Sequence, residues 1–136
     1  MMELKRNKHS VHCVGYHIVF CPKYRHQVLK GAVEVEAKRI FAEICADKNW
    51  MLLSIEIMPD HVHLFIQADP YIAPVAIVER IKSISAVYLF TKFPHLKKQK
   101  FWGSGLWSPG TYYGSVGNIS EESIRKYIEN QKKKNK

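Results

Sequence analysis

The chain has 136 residues, 46% hydrophobic and 24% charged, which suits one domain with its own core. No apolar run approaches membrane-spanning length, and the first residues, MMELKRNKHS, lack the apolar centre of a signal peptide, so the expected location is the cytoplasm and no membrane partner is expected. Twenty-one Lys and Arg against twelve Asp and Glu leave a formal net charge of +9, and three cysteines without C-x-x-C spacing exclude a disulfide frame or a zinc knuckle.

The excess positive charge is clustered. Lys5-Arg6-Asn7-Lys8 lies in a basic N-terminal arm over residues 1–10, Lys23-Tyr24-Arg25-His26 follows the first strand, Lys97-Lys98-Gln99-Lys100 follows a helix, and residues 132–136 form a lysine-rich tail. Such clusters neutralise phosphates and release counterions, so a polyanion is the expected partner. Aromatics stand beside two of the clusters (Tyr24; Phe101 and Trp102), which suits single-stranded nucleic acid with its exposed, stackable bases. The competing reading of any one cluster is a solvated basic surface.

The first strand is predicted over residues 11–21, with Val14, Tyr16, Ile18 and Phe20 on one side. A basic connection runs to Gly31. Residues 33–48 have the helical period: Val33, Ala37, Ile40, Phe41 and Ile44 make one apolar stripe. A second strand spans residues 50–57, and Pro59-Asp60 turns the chain into a third, His61-Val-His63-Leu-Phe65-Ile-Gln67. Matching the oily faces of this hairpin sets Leu53, Ile55 and Ile57 beside Val62, Leu64 and Ile66, with Ser54, Glu56 and Met58 sharing the histidine face. Asp60 is expected to point away from His61 unless the turn twists it.

Residues 74–92 form a second amphipathic helix, with Ile77, Val78, Ile81, Ile84, Tyr88 and Leu89 inside, Arg80, Lys82 and Lys92 in solvent, and Pro94 as its stop. One or two short strands are expected between residues 100 and 117, with residues 114–117 as a flexible joint. The last helix, residues 118–132, starts at an N-cap, Ser120, followed by Glu121 and Glu122 in the positive first turn. Ile124, Tyr127, Ile128 and Gln131 lie along one side of it. The β-α-β-β-α-β order predicts an α+β fold: a ferredoxin-like (RRM-like) antiparallel sheet with helices on one face and the tyrosine-bearing C-terminal helix over the other.

His61 and His63 are the chemical centre of this arrangement. Alternate residues of a strand share a face about 6.6 Å apart at Cα, close enough for two imidazoles to grip one metal ion. A third histidine two residues on, as histidine-triad hydrolases require, is replaced by Phe65, and the H-x-H-x-D-H run of metallo-β-lactamase-like enzymes is absent. An oxygen donor would complete the site, and on the residues alone Glu56 is the candidate.

Histidine pair, Y-x-x-x-Q helix and the order between them resemble the single-tyrosine HUH transposases, small His-hydrophobe-His enzymes that move insertion sequences as single-stranded DNA. The resemblance runs from the first strand and Pro22-Lys23-Tyr24-Arg25 through MPDHVHLF to the segment from Ser123 to Gln131. It implies that His61, His63 and Gln131 bind Mg²⁺ or Mn²⁺, and that Tyr127 is the nucleophile, forming a 5′-phosphotyrosine. It also implies single-stranded DNA with subterminal hairpins as substrate and a homodimer whose tyrosine helices complete each other's sites. Lys23 and Arg25 are the expected DNA-backbone contacts. The alternatives are a non-catalytic single-strand-binding module and a related HUH nuclease of the repeat-associated or replication-initiation type.

Overall fold

The computed structural model describes residues 5–6, 11–12, 14–101 and 104–117. Two short strands, β1 (Lys5–Arg6) and β2 (Val11–His12), pair with each other. The main sheet comprises β3 (Val14–Phe20), β4 (Met51–Met58), β5 (His61–Ala68) and β6 (Tyr112–Gly117), in the order β4-β5-β3-β6 with every pair antiparallel. Helices α1 (Ala32–Asp47) and α2 (Pro74–Lys92) make the crossovers, and the short α3 (Pro94–Gln99) follows. Split crossovers with the first and third strands central are the ferredoxin-like topology expected from the element order.

Alternation assigns one side of each strand to the core. Tyr16, Ile18 and Phe20 of β3 pack with Val62, Leu64 and Ile66 of β5 against the buried stripe of α1, Val33, Ala37, Ile40, Phe41 and Ile44. Phe20 is the hub: its ring meets Phe41 edge-on at 5.9 Å and Trp107 at 4.7 Å between centroids. From α2 come Ile77, Val78, Ile81 and Leu89, while Ile84 and Tyr88 are only partly buried.

The helix ends follow from local chemistry. Gly31 precedes α1 with φ +60°, a conformation that glycine adopts without the Cβ clash that other residues meet. At the other end Asn49 takes φ 59°, the amide of Asn49 donates to the carbonyl of Ala46, and the amide of Trp50 donates to the carbonyl of Cys45. That is a Schellman close, with asparagine in the left-handed position.

Several expectations are corrected. The first strand of the sheet begins at Val14, residues 11–12 belonging to the separate ladder. A bulge at Leu53 shifts the β4–β5 register, so Leu52, not Leu53, pairs with Ile66; two adjacent leucines left the alternation ambiguous there. Pro94 does end α2, but it also opens α3, because proline fits the first helical position. Residues 114–117 are a paired part of β6, their backbones continuing the ladder to Val14, and not a joint. The C-terminal helix over residues 118–132 and the tail over 133–136 lie outside the described residues.

Candidate active site

The sheet face opposite the helices is built from the residues that alternate with the core set. Antiparallel pairing puts Val19 opposite His63, His17 opposite Phe65, Glu56 opposite His63 from the other side, and Met58 opposite His61. The expected sharing of one face by His61, His63 and Glu56 is therefore present. The two imidazoles meet at 4.8 Å between centroids with their planes inclined by 63°. His61, His63, Phe65 and Gln67 are all buried although they face away from the helices.

Sequence reasoning overlooked a third imidazole. His17, fully buried, lies on the same face, its ring centroid 5.5 Å from that of His63 and 6.1 Å from that of Phe65. Its signal was available: once Tyr16 and Ile18 face the core, His17 must face the other way. Burial first, and the charge of His63 second, lower its pKa to about 4, so it is neutral near pH 7. Among the described residues no group of three His, Cys, Asp or Glu is placed to hold a metal ion. The pair His61 and His63 places two imidazoles side by side as candidate nitrogen donors, and a further oxygen would come from Glu56 beside them or from outside the described residues.

The Pro59–Asp60 turn twists Asp60 toward its neighbour, against the simple alternation. Asp60 Oδ1 lies 2.7 Å from His61 Nδ1, and Arg25 Nη2 donates to Asp60 Oδ2 at 2.9 Å. Partial burial pushes the Asp60 carboxyl up, but the hydrogen bond from His61 and the charge of Arg25 outweigh it and hold the group below the ordinary carboxylate value. An ionised carboxylate only accepts, so Nδ1 of His61 is the donor. With Nδ1 occupied in this way, Nε2 is the nitrogen of His61 that a metal would use. The two imidazoles thus fit a divalent ion by their shared face and spacing, and His61 also by its tautomer.

Of the two residues expected at DNA phosphates, Arg25 spends its guanidinium on Asp60 while its side chain stays 68% exposed, and Lys23 is half-buried with its backbone amide donating to the carbonyl of Leu106. Tyr24 between them stands in solvent. Lys82 is not the solvated lysine expected: its Nζ donates to the Ser108 carbonyl at 2.6 Å and to Thr111 Oγ1 at 2.9 Å, and lies 5.9 Å from the centre of the Phe20 ring. It fastens the segment before β6 to α2. Tyr127 and Gln131 lie outside the described residues. No helix among the described residues is long and apolar enough to cross a membrane.

Comparison with known proteins fits this geometry. Residues 10–131 match the family model described as transposase IS200 like. The ISDra2 transposase TnpA of Deinococcus radiodurans is 39% identical over 130 residues, 96% of this chain and 92% of that one. The transposase for insertion sequence element IS200 of Salmonella typhimurium is 31% identical over 121 residues, covering 89% and 78%. A crystal structure from Deinococcus radiodurans assigned as a transposase superposes with a TM-score of 0.77 at 38% identity over 93% of this chain and 97% of that one. A REP-associated tyrosine transposase bound to a REP hairpin shares the fold alone, at a TM-score of 0.57 and 16% identity over 93% and 68%. Since the family match spans nearly all of the chain and the relatives align over most of their own lengths, the chain belongs to the IS200-like transposase family.

Proposed function

We propose that this transposase cuts and rejoins single-stranded DNA at the ends of an insertion sequence through a covalent tyrosine intermediate, with Tyr127 as nucleophile and His61, His63 and Gln131 as ligands of Mg²⁺ or Mn²⁺. The observation that carries the reading is the pair of buried imidazoles on one sheet face, 4.8 Å apart, in a chain of this family. The bound ion would act as a Lewis acid on the scissile phosphate. Tyr127 attacks phosphorus through its phenolic oxygen, giving up its proton; the new O–P bond replaces the P–O3′ bond, and a 3′-OH leaves. The free phenol, with its pKa of ~10, is a poor nucleophile until that proton is drawn off near positive charge. A second strand's 3′-OH reverses the exchange, so strands join without ATP.

Substrate and assembly belong to the same proposal. The net charge of +9 favours a polyanion, and the REP-hairpin complex of the structural neighbour supports hairpins near the element ends as the recognised feature. Lys23 and Arg25 would lie at the DNA backbone. The chain would work in the cytoplasm as one domain and as a homodimer with composite active sites.

The test is incubation with single-stranded DNA and Mn²⁺ followed by denaturation. A covalent protein–DNA adduct, absent in Tyr127→Phe, is expected. Salt-sensitive retention of DNA with no adduct would overturn the reading in favour of a non-catalytic binder.

A further inference from the structure

The segment after β3 and the turn between β4 and β5 are tied together at two points, and a third bond carries the tie on to His61. The Leu29 amide donates to the Pro59 carbonyl at 3.0 Å, Arg25 Nη2 reaches Asp60 Oδ2, and Asp60 Oδ1 accepts from His61 Nδ1. Arg25 arrives there by an unusual backbone route. Tyr24 and Arg25 take φ values of 62° and 53°, so two successive residues with Cβ atoms occupy the left-handed region. Such conformations persist where surrounding contacts over-determine them, and they concentrate at functional sites. Here the surroundings are specific. Pro22 bridges Trp107, the Lys23 amide bonds the Leu106 carbonyl, and the Arg25 amide bonds the Pro22 carbonyl, fixing the turn from behind while its side chain extends toward Asp60.

We propose that Asp60 and Arg25 are positioning residues for His61: Asp60 holds the imidazole with hydrogen on Nδ1 and Nε2 turned to the ligand position, and Arg25, presented by the left-handed turn, fixes the carboxylate. The inference rests on the reading of His61 as a metal ligand and adds to it two residues that do not touch the ion. Each step has a physical reason. A carboxylate behind a ligating imidazole fixes ring and tautomer and raises the basicity of the other nitrogen. An arginine bonded to the second carboxylate oxygen keeps the carboxylate from rotating out of line, and a planar guanidinium does this better than a lysine ammonium. It also accounts for Arg25 lying against the histidine turn while its side chain stays largely exposed.

Two readouts on the full chain test the proposal. Nitrogen-15 spectra of the imidazoles in metal-free protein, with His61→Gln to assign the signal, are expected to show hydrogen on Nδ1 of His61 in the wild type and a shift of population to Nε2 in Asp60→Ala. Titration with Mn²⁺ is expected to show affinity lower by about 10–100-fold in Asp60→Ala, the range found for residues that orient a metal-bound histidine. Asp60→Asn, which keeps an accepting oxygen, should recover part of the loss. Arg25→Ala should weaken binding in the same direction by less, and Arg25→Lys should restore it incompletely. Hydrogen on Nε2 of His61 in the wild type would overturn the proposal, as would unchanged Mn²⁺ affinity in Asp60→Ala. Should the wild type take up no Mn²⁺ at all, the metal-ligand reading falls by itself, and the tautomer spectra still decide whether Asp60 orients His61.

Discussion

The ring of His17 lies 5.5 Å from the ring of His63, inside a face where both are buried. Its pKa, lowered by burial and then by His63, is about 4 in the fold against an ordinary value of 6.5. The unfolded chain therefore takes up this proton more readily than the folded one. Stability from this source is complete above the ordinary value of 6.5, falls as pH drops toward the folded value of about 4, and then levels off. The expected loss across that window is about 3 kcal/mol. Urea unfolding of wild type and His17→Asn at several pH values checks it, since the difference between the two proteins should shrink as pH falls. Parallel acid limbs would remove His17 from the account.

Glu56 sits across the ladder from His63, whereas Gln131 is the proposed third ligand. Gln131→Ala is expected to lower Mn²⁺ affinity and cleavage by at least the ~10–100-fold typical of a residue that merely orients a ligand. Glu56→Ala should cost less than that. Complete loss of cleavage in Glu56→Ala with Gln131→Ala still active would reverse the assignment.

Composite sites make a prediction that self-contained sites do not. Tyr127→Phe and His61→Ala homodimers should each be inactive. Mixed dimers should regain cleavage at one site if the tyrosine of one subunit serves the histidines of the other, because one site then holds both intact parts. Gel assays of subunits mixed after partial unfolding and refolding read this directly. No recovery would mean each subunit supplies its own nucleophile.

The core contains one polar relay whose removal should be felt. Trp107 Nε1 donates to Ser85 Oγ at 2.9 Å, and Ser85 Oγ donates to the Ile81 carbonyl at 2.6 Å. Ser85 is fully buried, so Ser85→Ala strands the indole N–H without water to replace its partner. A destabilisation of about 1–3 kcal/mol is expected, and less in a Trp107→Phe background where no donor is left behind. Thermal unfolding of the four proteins measures it; equal costs in both backgrounds would mean that the hydrogen bond contributes little.

The parts of the fold governed by periodicity were legible in the chain itself. The α1 stripe, the β3 alternation and the shared face of His61, His63 and Glu56 each depend on spacing alone, and each is found where spacing puts it. What escaped is what side chains decide across distance. Asp60 turns to His61 because Arg25, thirty-five residues earlier, is delivered to it by a left-handed turn with no glycine to announce it. Lys82 looks like a solvated helix residue until the segment before β6 folds over it and offers two oxygens. The bulge at Leu53 was hidden because Leu52 and Leu53 serve the core equally well on paper. Glycines 114 and 117 suggested a joint, but backbone pairing with β3 needs no side chains and absorbs them into a strand.

The strand that carries the histidine pair is flanked on both sides, by β4 and by β3. Its amides between Val62 and Ile66 should be among the slowest in the molecule to exchange with deuterium, opening only when the whole domain opens. A site anchored on such a strand cannot breathe locally. Whatever movement a catalytic cycle demands must fall to parts of the chain beyond these four strands, with the imidazoles as the stationary reference.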